Sequence, residues 1–147
     1  MKRSKLLPAL AMALSAVSCT PSPKPIAYGS DACHYCKMTI VDQQHAAEAV
    51  TAKGKAFKFD AIECMVNYLE GQEGQSQEYA FLLAADYEKP GELIPAESSY
   101  YLISPAIPSP MGAYLSAFET QERAKAMQSA KEGEVFDWKG LRAHIKN

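Results

Sequence analysis

The segment "DACHYCKMTI", residues 31–40, gathers Cys33, His34, Cys36 and Met38 within six positions of a 147-residue chain that has only four cysteines and three histidines. Thiolate, thioether and imidazole groups at such spacing are the donors a soft metal ion prefers. If His34 to Thr39 is extended, side chains alternate, so that His34, Cys36 and Met38 share one face while Cys33, Tyr35 and Lys37 share the other. The first face offers a set suited to monovalent copper, Cu(I), which needs only two or three ligands. Hard ions such as Mg²⁺ and Ca²⁺ would want oxygen.

Other chemistries compete for the same residues. A structural zinc site would need a second C-x-x-C or a C-x-x-H to complete four ligands. None is present; Cys64, His45 and His144 lack paired spacing, and Cys64 falls on an expected helix. A thiol–disulfide oxidoreductase lowers the pKa of its first cysteine at a helix N-terminus. Here the β-branched run Thr39, Ile40, Val41 follows instead, which favours a strand. Covalent haem needs C-x-x-C-H, and Lys37 stands at the histidine position. A structural Cys33–Cys36 disulfide and a reversible redox pair in a thiol–disulfide lipoprotein stay open as alternatives. No glycine-rich phosphate loop, paired-carboxylate motif or Ser-His-Asp set with supporting context is legible, so no enzyme is expected.

The N-terminus bears on where this chemistry would occur. "MKRSKLLPALAMALSAVSC" carries Lys2, Arg3 and Lys5 before an apolar run from Leu6 to Val17, the layout of a secretory signal and too short to span a bilayer comfortably. Its end, "AVSC", resembles the lipobox of bacterial lipoproteins, which implies cleavage after Ser18 and lipidation of Cys19; Ala16 stands where leucine is more usual. Residues 1–18 are then a lipoprotein signal peptide, and 19–30, polar and proline-rich, a flexible tether. The remaining chain of 129 residues has a net charge near −5, which argues against a nucleic-acid partner. Membrane attachment would come from the lipid, whose buried methylenes contribute about 0.8 kcal/mol each.

The elements that must position the cysteines read as an α+β chain. "MTIVD", "AAEAVTA", "KAFKFD" and "YAFLLAAD" are β-rich. Between the last two, "DAIECMVNYLEG" predicts a helix with Asp60 as cap, Glu63 three residues on, Gly71 as stop, and Ile62, Met65, Val66 and Leu69 as its buried stripe. After a loop, "EKPGELIPAESS", the strands "YYLIS" and "GAYLSAF" precede a helix from Thr120 to Gly133 and a last strand, "EVFDW". A strand ending in phenylalanine, a capping residue, a glycine-ended helix and an apolar strand recur in both halves, a weak internal repeat.

The lipobox, "C-x-x-C-K-M", "F-D-x-x-x-C-M" and, far downstream, "SPMGAYLSAF" together resemble the NosL family, copper-binding periplasmic lipoproteins that assist maturation of nitrous oxide reductase. The resemblance implies two small related ββαβ units packed as one region, here 31–89 and 90–147, and a Cu(I)-binding chaperone. It also implies that Cys36 and Met38 bind the metal. Met111, at the turn between Pro110 and Gly112, is expected as a further soft donor, and Cys33 and His34 as additional candidates. The implied partners are the maturation machinery of nitrous oxide reductase and a bacterial membrane, with the protein anchored on the periplasmic face.

Overall fold

A computed structural model describes residues 20–146. Seven strands, β1 (Ala47–Thr51), β2 (Ala56–Phe59), β3 (Tyr79–Ala85), β4 (Leu93–Pro95), β5 (Tyr100–Ile103), β6 (Leu115–Phe118) and β7 (Glu134–Asp137), build two antiparallel sheets of order β2-β1-β3-β4 and β6-β5-β7. The helices are α1 (Ile62–Glu70), the short α2 (Gln72–Gln75), α3 (Gln121–Lys131) and α4 (Trp138–Lys146). In each sheet the first strand of the unit is central and antiparallel to the next two, and a helix carries the chain between the flanking strands. The expected α+β fold of two related ββαβ units is therefore present, with β4 and α4 added to the common plan.

The stripe expected on α1 is its buried face: Ile62, Met65, Val66 and Leu69 all lie in the main core. Each such side chain contributes about 1.5–3 kcal/mol when fully withdrawn from water. Ala47 and Ala49 of β1 share that core, which continues through Tyr101 and Leu115 to Trp138 and Leu141 of α4. A smaller cluster of Leu102, Ile107, Phe118 and Ala124 lies beneath α3. Thr120 caps α3 as expected, its hydroxyl accepting from the Arg123 N–H at 3.3 Å.

Three expectations change. "MTIVD" forms no strand; only Thr39 makes a bridge, to Ala32, because the preceding residues double back in a turn. The loop "EKPGELIPAESS" contains β4, paired with β3 from Leu83↔Pro95 to Ala85↔Leu93. Trp138 opens α4 instead of ending a strand, and the Asp137 carboxylate accepts from the Gly140 N–H at 2.7 Å.

Of the proline-rich segment, the part from Lys24 onward is fastened to the first sheet. Glu48, fully buried in the central strand, accepts from the Lys24 N–H at 2.7 Å, and Lys58 donates to the Pro25 carbonyl at 2.6 Å. Burial pushes the Glu48 carboxyl above its usual range. His45 ties the two units together, with Nδ1 2.9 Å from Asp42 Oδ2 and Nε2 3.2 Å from Ser116 Oγ on β6.

Candidate metal centre

Cys33 and Cys36 sit in a tight turn. The Cys33 carbonyl accepts from Lys37 N–H at 3.0 Å, Cys33 N–H donates to the Met38 carbonyl at 2.8 Å, and Lys37 takes a left-handed φ of 68°. That geometry is not the extended strand expected from the β-branched run, and the proposed sharing of one face by His34, Cys36 and Met38 falls with it. The turn instead directs backbone N–H groups at sulfur: Cys36 N–H toward the Cys33 sulfur, and Met38 N–H toward that of Cys36. Such bonds favour the thiolate over the thiol.

The first turn of α1 completes the site from 24 residues or more away in sequence. Asp60 and Cys64 join Cys33 and Cys36 so that one ligand atom from each lies within 4.8 Å of the others. Both residues expected to form a capping box are diverted. Ala61 is the N-cap, with no side-chain capping bond. The Asp60 carboxylate accepts from the Cys36 thiol at 3.2 Å, and Glu63 Oε1 accepts from Ser109 Oγ at 2.9 Å and from Ala113 N–H at 3.3 Å.

The three thiols are electrostatically unequal. A hydrogen bond from the Cys64 thiol outweighs burial and, with backbone N–H groups of Cys36 and Asp60, brings Cys33 down to about 6. Burial raises Cys36 to about 11, aided by its bonds to Asp60 and Cys33. Cys64 is pushed up strongly, first by donating to Cys33 and then by burial. At neutral pH the cluster thus holds one thiolate, on Cys33, and two thiols. A disulfide exchanger needs an accessible low-pKa nucleophile. Here the low-pKa sulfur belongs to a cysteine only 1% exposed, and the partly exposed Cys36 is the one held protonated.

The other expected donors are distributed around this cluster. His34 lies outside the group of four: its ring packs 4.6 Å from that of Phe57 and 5.2 Å from that of Tyr68, and Nε2 lies 3.3 Å from Glu73 Oε1. Met38 and Met111 are exposed at 54% and 42%. Met111 lines a cleft of about 420 Å³ with Tyr35, Glu63, Cys64 and His144, so it approaches the site from the Cys64 side. The bonds from Ser109 and Ala113 to Glu63 fix this loop against the helix that bears Cys64. Cys19 lies outside the described residues.

Asp60 and Cys64 escaped the ligand assignment made from spacing, although "F-D-x-x-x-C-M" contains both. Asp60 stands just before the α1 N-cap and Cys64 in the first turn, and the fold brings both to the turn cysteines. Another arrangement absent from the sequence motifs is Asp42–His45–Ser116, whose distances match a hydrogen-bonded Asp-His-Ser relay. Ser116 is fully buried in β6, so its hydroxyl serves the join between the sheets and has no substrate access.

The NosL family model matches residues 25–145. The chain is 32% identical to the copper-binding lipoprotein NosL of Stutzerimonas stutzeri, over 78% of this chain and 64% of that protein's length. The fold is similar to the crystal structure of the copper chaperone NosL from Shewanella denitrificans, with a TM-score of 0.69 at 19% identity over 80% of this chain and 93% of that one. These relatives are named as a copper-binding lipoprotein and a copper chaperone, not as enzymes. Among the described residues, no helix is long and apolar enough to cross a membrane. With a family model spanning most of its length, the chain belongs to the NosL family.

Proposed function

We propose that this protein is a Cu(I) carrier, lipid-anchored through Cys19 at the periplasmic face of a bacterial membrane, that delivers copper for assembly of nitrous oxide reductase. The observation that carries the reading is the cluster of Cys33, Cys36, Asp60 and Cys64, whose ligand atoms lie within 4.8 Å of one another. Three sulfurs suit Cu(I), and the thioethers of Met38 and Met111 at the rim supply further soft donors to a cargo that must be held and then released. Metal uptake replaces the thiol protons of Cys36 and Cys64, and the Cys33 thiolate is ready to bind first. The copper named in the relatives' titles supports the choice of ion.

A second reading comes from Asp60. Three thiolates and one carboxylate also make the four-donor set that Zn²⁺ takes, completing in space what the spacing of cysteines alone did not offer. Anaerobic titration of the reduced protein with Cu(I) and with Zn²⁺, each against a competing chelator, separates the two. The carrier reading expects tight Cu(I) binding that Zn²⁺ at equal concentration does not displace. Loss of Cu(I) to stoichiometric Zn²⁺ would make this a zinc centre.

A further inference from the structure

Cys64 faces two environments. Its sulfur belongs to the four-donor cluster, and the same residue lines the cleft bounded by α1, α4 and the 109–113 loop. Two other metal-binding side chains line that cleft. Met111 is held there by the clasp of Ser109 and Ala113 on Glu63, the residue before Cys64. His144, in the last turn of α4, is exposed; its ring packs 4.9 Å from that of Phe136, and among the described residues neither nitrogen makes a hydrogen bond. Ligating histidines normally have one ring nitrogen engaged by a protein acceptor. An imidazole and a thioether lining one open cleft are suited to transient binding.

We propose that Cys64, Met111 and His144 form an outer Cu(I) subsite through which copper passes between the buried cluster and an acceptor. The inference rests on the carrier reading and adds the direction of exit. Copper remains Cu(I) throughout and no electron moves. As the ion shifts outward, its bonds to Cys33 and Cys36 break while bonds to the Met111 sulfur and a His144 nitrogen form; the two sulfurs left behind return to their metal-free state, taking up one proton between them from solvent. Cys64 bridges the two positions, so the ion is never stripped of sulfur. A neutral imidazole and a thioether bind more weakly than thiolates and leave copper open to capture.

The test uses the full chain carrying Cu(I), with His144→Ala beside the unmodified protein. Three measurements are made anaerobically: affinity for the first equivalent by chelator competition, the rate of transfer to excess chelator, and copper-edge X-ray absorption with two equivalents bound. The subsite predicts first-equivalent affinity within about twofold, transfer slower by about tenfold, and loss of a nitrogen scatterer from the two-equivalent spectrum. An unchanged rate with an unchanged spectrum overturns it. So does a first-equivalent affinity that falls with the rate, because His144 would then belong to the inner site. Failure of the unmodified protein to bind one equivalent of Cu(I) would instead overturn the carrier reading beneath it.

Discussion

The Cys36 thiol donates to the Asp60 carboxylate across 3.2 Å, joining a turn near the start of the domain to the residue before the α1 N-cap. The bond keeps a partly exposed thiol protonated and holds the carboxylate beside the other two sulfurs. Asp60→Asn keeps the shape and removes the charge. Cys36 should then titrate below its present value of about 11 but above an ordinary thiol, because burial is the larger cause of the shift. Each unit of decrease raises the thiolate fraction about tenfold, so alkylation of Cys36 at pH 8 should accelerate in proportion. An unchanged alkylation profile would remove Asp60 from the account.

Metal uptake should be strongly pH-dependent. Above the Cys33 value of about 6 and below ordinary thiol titration, the apo cluster holds two protons that a three-sulfur site must release. The logarithm of Cu(I) affinity should therefore rise by about two per pH unit through neutrality, and by about three per unit below the Cys33 titration. Affinity falls with acid because protons compete for the ligands. Competition titrations across pH 5–9, about that range, check the slope; a slope of one would leave a single exchanging thiol.

Serine replacement of the three cysteines should give comparable losses of Cu(I) affinity, each about a hundredfold or more. An extended 34–39 segment, with Cys33 on the opposite face from Cys36, would make Cys36→Ser severe and Cys33→Ser mild. The turn revises that order, since the Cys33 sulfur accepts from Cys64 and from two backbone N–H groups. Met111→Leu should leave the fold intact and, with Met111 in the outer subsite, keep first-equivalent affinity within about twofold. Competition titration of the four variants decides the matter, and a harmless Cys33→Ser would contradict the site.

His45→Ala should destabilise the protein by about 2 kcal/mol, through loss of a buried ring and the stranding of two polar partners. Urea unfolding would show a lower midpoint. The folded variant should bind the same number of copper ions, since His45 joins Asp42 to Ser116 and lies outside the cysteine cluster.

Cys19→Ser should move the protein from the membrane fraction to the soluble periplasm. Continued pelleting with membranes would refute lipid attachment at this residue.

The periodic elements were legible because one physical rule governs each: α1 shows apolar spacing, α3 shows its Thr120 cap and Gly133 stop, and the strands from β1 to β3 and from β5 to β7 fall in the apolar runs expected of them. The site was less legible because its residues break those rules. Asp60 and Glu63 spell a capping box, yet tertiary partners take both side chains, Cys36 for one and Ser109 for the other. The β-branched run after Cys36 suggested a strand, but a left-handed Lys37 turns the chain and aims N–H groups at sulfur. The absence of a helix directly after C-x-x-C seemed to deny it a dipole, whereas α1 brings its N-terminus to Cys33 from elsewhere in the chain. Gly140 in the first turn weakened the helical pattern of α4, whose Trp138 and Leu141 nevertheless enter the core.

Fastening Lys24 to Glu48 fixes how far the domain can stand from its anchor. If Cys19 is lipidated as proposed, five residue steps would separate the lipid from the first firm attachment, a leash of about 17 Å at full extension. That is shorter than the roughly 35 Å width expected of a compact domain of this size. Under the proposed anchoring the copper site would not roam in search of an acceptor; the acceptor would have to come to the membrane surface to be loaded, and lengthening this leash should widen the set of proteins that can be served.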